Sequence, residues 1–183
     1  MTNTRLLLVV PLGLALGGGV VMVAMSSRPS GEWSAVQVDT SGMTPGFDGA
    51  SSRVDTQVDA YAQPDDVGHA EVVVYESAGL DRFCLARVIG APGSRVVARG
   101  ELVQVDGVVL EHSGARTVDT LQRYDEEYAG RHYVVTYDAD GLEMVDVRVG
   151  PSEVYLLPDD RTGRQESCFG GLVSFGRLQG RVR

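Results

Sequence analysis

Sixteen basic side chains are available to this 183-residue chain, and every one is an arginine. Chemistry that needs a lysine, whether as general base, Schiff-base former or P-loop cation, is therefore excluded. The three histidines, His69, His112 and His132, have no metal-ligand spacing and read as surface or hydrogen-bonded groups. The acidic runs Asp65-Asp66 and Asp125-Glu126-Glu127 read as solvated loop charges. No metal or cofactor is expected. Twenty-five acids leave a net charge of −9, which argues against a nucleic-acid partner, because phosphate binding calls for a basic face. What remains is a set of hydroxyls and two thiols, Cys84 and Cys168. A thiol nucleophile would need a base, and no histidine is placed in the sequence to activate either cysteine.

Two kinds of element must position these groups. Leu6 to Met25 is a run of twenty uncharged residues, with Arg5 before it and Arg28 after it. A helix of that length spans roughly 30 Å, the hydrocarbon thickness of a bilayer. Residues 1–28 are thus expected to form a membrane anchor with the N-terminus inside. The competing reading is a cleaved signal peptide, for which Val23-Ala24-Met25-Ser26 is a poor small-x-small site. Residues 29–183 form the second part. Residues 26–58 are rich in Ser, Thr, Gly and Asp and read as a linker or loop-like start. Short apolar runs follow at 71–75, 84–89, 102–105, 108–110, 133–137, 144–149, 153–157 and 172–175, and they read as strands. Asp106-Gly107 between two of them is a two-residue hairpin turn. Thr117 to Tyr128 is the one stretch with room for a short helix. The expected fold is mainly β: an antiparallel, sandwich- or barrel-like domain behind one N-terminal transmembrane helix.

Three segments, in order, carry a family resemblance. Ala86-Arg87-Val88-Ile89-Gly90-Ala91-Pro92-Gly93-Ser94-Arg95-Val96 resembles the lysine-bearing segment of bacterial type I signal peptidases, Lys-Arg-Val-(Ile/Val)-Gly-x-Pro-Gly-Asp-x-Val. Upstream, Ala70-Glu71-Val72-Val73-Val74-Tyr75 is similar to the family's Gly-Asp-Val-Val-Val-Phe strand. Downstream, Pro158-Asp159-Asp160-Arg161 to Ser167-Cys168 is similar to Gly-Asp-Asn-Arg-Asp-Asn-Ser-x-Asp-Ser-Arg. Ser41-Gly42-Met43-Thr44-Pro45 falls where the nucleophile motif Ser-Met-x-Pro-Thr stands.

The resemblance implies an all-β catalytic domain held at the outer membrane face and a Ser/Lys dyad, in which a neutral lysine amine deprotonates the serine. Carried over residue by residue, the nucleophile position is Gly42 and the general-base position is Ala86. Thr40 would supply an oxyanion hydroxyl, and Ser167 stands at the lysine-orienting position. A one-residue slip would make Ser41 the nucleophile, still without an indicated base. Met43, Pro45, Val73 and Arg87 are implied to line the peptide groove. The aligned Asp159-Asp160 segment is structural in the family, so an ion pair with Arg161 is expected there and not a metal. Cys84 shares a strand face with Ala86, and Cys168 adjoins Ser167, so the two cysteines are expected either to bridge beside the vacated dyad or to be separate buried thiols.

The function expected is that of a membrane-anchored, catalytically inactive signal-peptidase-like protein of the bacterial inner membrane. It would contact lipid through its helix and bind an extended peptide or pre-protein segment, or partner an active peptidase or secretion machinery. The alternatives are an active but diverged peptidase and an accessory component of a secretion or conjugation system.

Overall fold

The computed structural model describes residues 32–47, 52–58, 60–78, 81–162 and 168–182. Among the described residues no helix is long and apolar enough to cross a membrane. The apolar run at 6–25, and with it the expected anchor over 1–28, lies outside them, as does Ser167.

Fourteen strands are described: β1 (Trp33–Val38), β2 (Ser52–Val58), β3 (Val72–Glu76), β4 (Phe83–Gly90), β5 (Arg95–Gly100), β6 (Leu102–Val105), β7 (Val108–Val109), β8 (Glu111–Val118), β9 (Leu121–Tyr128), β10 (Arg131–Tyr137), β11 (Leu142–Arg148), β12 (Glu153–Leu157), β13 (Gly171–Ser174) and β14 (Leu178–Val182). They form a seven-stranded sheet in the order β1-β2-β14-β3-β4-β12-β13, a four-stranded sheet β11-β5-β6-β7 and a three-stranded sheet β10-β9-β8. The strand pairs are antiparallel. One parallel bridge, Asp39 to Cys84, brings the end of β1 back onto β4 and closes β1, β2, β14, β3 and β4 into a small barrel.

The turn expected at Asp106-Gly107 is present, with φ of 52° and 84°, the left-handed pair that matches strand twist in a two-residue hairpin. Two expectations are corrected. Residues 33–38 and 52–58 are strands, not linker. Val38, Val54 and Thr56 turn inward while the polar residues between them face out, so polar composition masked a period of two. Thr117 to Tyr128 holds no helix. It is the β8–β9 hairpin, in which Tyr124, Glu126 and Tyr128 share the inward face of β9.

β4 is buried along nearly its whole length and divides three apolar clusters. Cys84, Ala86 and Val88 face one cluster with Val73, Tyr75, Leu156 and Cys168. Leu85 on the opposite face enters the small barrel beside Val38, Met43 and Val74. Ile89 reaches a third cluster with Val135, Tyr137 and Leu157. Such a run, apolar on both faces, is what a central strand requires.

Candidate functional site

The turn that bears the nucleophile position follows the Asp39 bridge. Asp39 accepts the Ser41 N–H at 3.0 Å and the Ser41 hydroxyl at 2.6 Å, which starts the 3-10 turn Ser41–Met43. The Met43 N–H closes that turn on the Thr40 carbonyl at 2.9 Å. Behind it, the Gly42 carbonyl accepts the Asp160 N–H at 2.9 Å, tying the turn to the segment after β12. Thr40, Gly42 and Met43 are buried, and Ser41 is half-buried.

The general-base position lies in an apolar wall. Ala86 is fully buried among Val73, Tyr75, Val88 and Leu156. Cys84 and Cys168 form a disulfide in the same cluster, with Cα atoms 5.5 Å apart, inside the range that a bridge tolerates. The Cys168 carbonyl oxygen also lies 3.3 Å from where a Cβ at Gly42 would stand, and Pro158 Cβ lies 3.2 Å from it. Cys168 therefore borders both positions that the resemblance implies: its sulfur is bonded to Cys84 in the apolar cluster of Ala86, and its carbonyl abuts Gly42. Neither position carries a group able to take up or release a proton near neutral pH.

A cleft of about 400 Å³ opens nearby, lined by Gln37, Asp39, Glu76, Asp81, Arg82 and Phe83. It reaches Asp39 but is not lined by Gly42 or Ala86. Burial pushes the Asp39 carboxyl up, but hydrogen bonds from Ser41 and Arg82 outweigh it and hold the group below its ordinary value. The Arg82 pair is 2.8 Å long.

Met43, Pro45, Val73 and Arg87, which the resemblance implies for a peptide groove, differ in burial. Met43 and Val73 are fully buried, so they offer no side-chain surface to a peptide; Pro45 is half-buried. β3 is flanked by β14 and β4, so its edge is already paired. Arg87 is a buried ion-pair partner. Its guanidinium donates to both Asp159 carboxylate oxygens, at 2.8 and 2.6 Å, and to the Ala70 carbonyl, and it stacks 3.7 Å from the centre of the Tyr133 ring. Opposite faces of one strand explain why Arg87 and Ala86 meet such different surroundings.

The expected Asp159–Arg161 pair is corrected as well. Arg161, fully buried, pairs with Glu126 through two 2.7 Å contacts and donates to the Tyr137 hydroxyl at 2.5 Å. Glu126 is no solvated loop charge. It sits fully buried on β9 and also meets His112 at 2.7 Å and the Tyr133 hydroxyl at 2.6 Å. Burial pushes its carboxyl up, but the Arg161 charge and these hydrogen bonds pull it down to about 2. Among the described residues Asp159 has Arg87 as its side-chain hydrogen-bond partner, and there burial prevails: its carboxyl is raised. His69 is hydrogen-bonded to the Tyr128 hydroxyl at 2.6 Å, and His132 lies on the surface. Among the described residues no group of His, Cys, Asp and Glu could hold a metal ion.

Sequence reasoning missed Pro158, Tyr75 and Glu126 as members of these two neighbourhoods. The first two lie inside recognised segments. Glu126 had a signal in the alternation Tyr124-Glu126-Tyr128, which the helix reading of this stretch obscured.

A solved signal peptidase I from Enterococcus faecalis V583 is similar in structure, with a TM-score of 0.41 and 16% identity, covering 64% of this chain and 97% of that one. No curated protein matches the sequence. The family model described as signal peptidase, peptidase S26, matches residues 12–183, and the chain therefore belongs to the signal peptidase S26 family.

Proposed function

We propose that this chain is a non-catalytic member of its family. In this reading residues 1–28 anchor it in the bacterial inner membrane, and the extracytoplasmic β domain of residues 29–183 binds an extended peptide or pre-protein segment, alone or beside an active peptidase or secretion machinery. One observation carries the reading. Gly42 and Ala86, the dyad positions that the resemblance implies, are buried and lack an ionisable or nucleophilic group; Pro158 and Cys168 pack against Gly42, and an apolar cluster surrounds Ala86. Loss of either member of a nucleophile–base pair costs several orders of magnitude in rate, and here both are absent. The disulfide fits an oxidising, extracytoplasmic compartment.

A second reading, an active but diverged peptidase, draws on the 2.6 Å contact between the Ser41 hydroxyl and Asp39 beside an open cleft. The chemistry weighs against it. A general base works best with a pKa near the operating pH, and Asp39 is held below the ordinary carboxylate value. The test is incubation of the purified full chain with a signal-peptide substrate, with Ser41→Ala alongside. No cleavage by either protein is expected. Cleavage lost in Ser41→Ala would overturn the non-catalytic reading.

A further inference from the structure

Resting on the peptide-binding reading, we propose that Cys168–Gly170 is a strap that occupies the peptide site, and that the Cys84–Cys168 bond keeps it closed. The strap is held at both ends. Its first residue is covalently joined to β4. Its last, Gly170, donates its N–H to the Tyr75 hydroxyl at 3.1 Å. Gly170 also adopts φ +77° against the Leu156 carbonyl, where a Cβ would collide. Next to the disulfide, the Cys168 carbonyl faces the nucleophile position at Gly42, 3.3 Å from the site of a Cβ. If the peptide lies as the resemblance implies, with a carbonyl at the nucleophile position, it meets the strap there, and two backbones cannot share that place.

Cys168 is the strap's one residue in an apolar core cluster, so lifting the strap costs that residue's packing and leaves the rest of the cluster in place. Phe169 is 37% exposed, and the strap leads into β13, an edge strand whose sheet neighbour is β12. What prevents lifting is the disulfide, whose two residues are fully buried. Release is a thiol–disulfide exchange with a dithiol. One thiolate of the dithiol attacks a cystine sulfur, giving a mixed disulfide. Its second thiolate then resolves that intermediate, leaving two cysteine thiols and an oxidised dithiol. The dithiol supplies both electrons and the two cysteines take up two protons. Because the bond is buried, exchange proceeds through local opening, and the oxidised protein stays closed.

The experiment measures binding of a fluorescent synthetic signal peptide to the full chain in detergent micelles. It compares the oxidised protein, Cys84→Ala/Cys168→Ala, and Tyr75→Phe with the disulfide intact. The double variant is expected to bind at least about tenfold tighter than the oxidised protein, with Tyr75→Phe in between. Hydrogen exchange at residues 41–43 and 168–170 is expected to rise in the same order. Equal affinity in all three overturns the strap and leaves the peptide-binding reading standing. Binding by none of them overturns that reading and the strap with it. Where circular dichroism shows the double variant unfolded, Tyr75→Phe decides: affinity unchanged from the oxidised protein overturns the strap.

Discussion

Ala86 and Arg87 are neighbours on β4 with opposite surroundings. Ala86 faces a region filled by a disulfide and apolar side chains, with no acidic or basic side chain among the members of its cluster. Arg87 faces a region that keeps two guanidinium–carboxylate pairs out of water, Arg87–Asp159 and Arg161–Glu126. Described residues after β12 serve both regions, Pro158 and Cys168 on the apolar side and Asp159 and Arg161 on the charged one. Their difference separates two reasons for holding polar groups inside a protein. Catalytic groups can be deleted if the space closes. Buried ions cannot be deleted singly, because each removal leaves a partner charge desolvated.

The sharpest way to break the comparison is to remove one ion. Glu126→Ala strands the Arg161 guanidinium and also takes a partner from His112 and Tyr133. A loss of about 3–5 kcal/mol is expected in denaturant unfolding. A loss under 1 kcal/mol would mean that the charged region is as dispensable as the dyad.

On the apolar side, the disulfide joins residues 84 positions apart. Cys84→Ala/Cys168→Ala is expected to lose about 2–4 kcal/mol by the same measurement, chiefly through the freer unfolded chain. A negligible loss would show that the apolar cluster closes the site unaided.

Acid separates the regions without a change in packing. The Glu126 carboxyl lies at about 2 in the folded protein against an ordinary 4.5. Because the folded value is the lower, its stabilisation is complete above pH 4.5 and is lost as pH falls toward 2. Across that window wild type is expected to lose on the order of 3 kcal/mol that Glu126→Gln does not. Parallel stability curves for the two proteins would locate acid sensitivity elsewhere.

The smallest effect concerns the vacated nucleophile. Gly42→Ser introduces a Cβ 3.2 Å from Pro158 Cβ and 3.3 Å from the Cys168 carbonyl, so neighbours must move by a few tenths of an ångström. A destabilisation of about 1 kcal/mol is expected in thermal unfolding. An unchanged melting temperature would mean that the position has room for the family's serine.

Local signals made part of this molecule legible. The Asp106-Gly107 hairpin follows from two residues that accept left-handed backbone, and β12 matches its apolar run at 153–157 residue for residue. β1, β2 and the β8–β9 hairpin were harder to read, because their polar residues face solvent and dilute the period of two. The site divides in the same manner. The absence of a serine at Gly42 and a lysine at Ala86 can be read from aligned segments. That Cys168 abuts Gly42, that Arg87 takes Asp159 and that Arg161 takes Glu126 cannot.

By itself the sequence determined that no lysine is available and, through the resemblance, that Gly42 and Ala86 stand where the family carries its dyad, because composition and motif order are properties of the chain alone. Only the tertiary structure decided what stands in the vacated space and which buried charges meet. The ion-pair and disulfide partners lie 35 to 84 residues apart, and no local pattern encodes them. They are selected when burial makes an unpaired ion or an empty cavity more costly than any alternative pairing the fold allows.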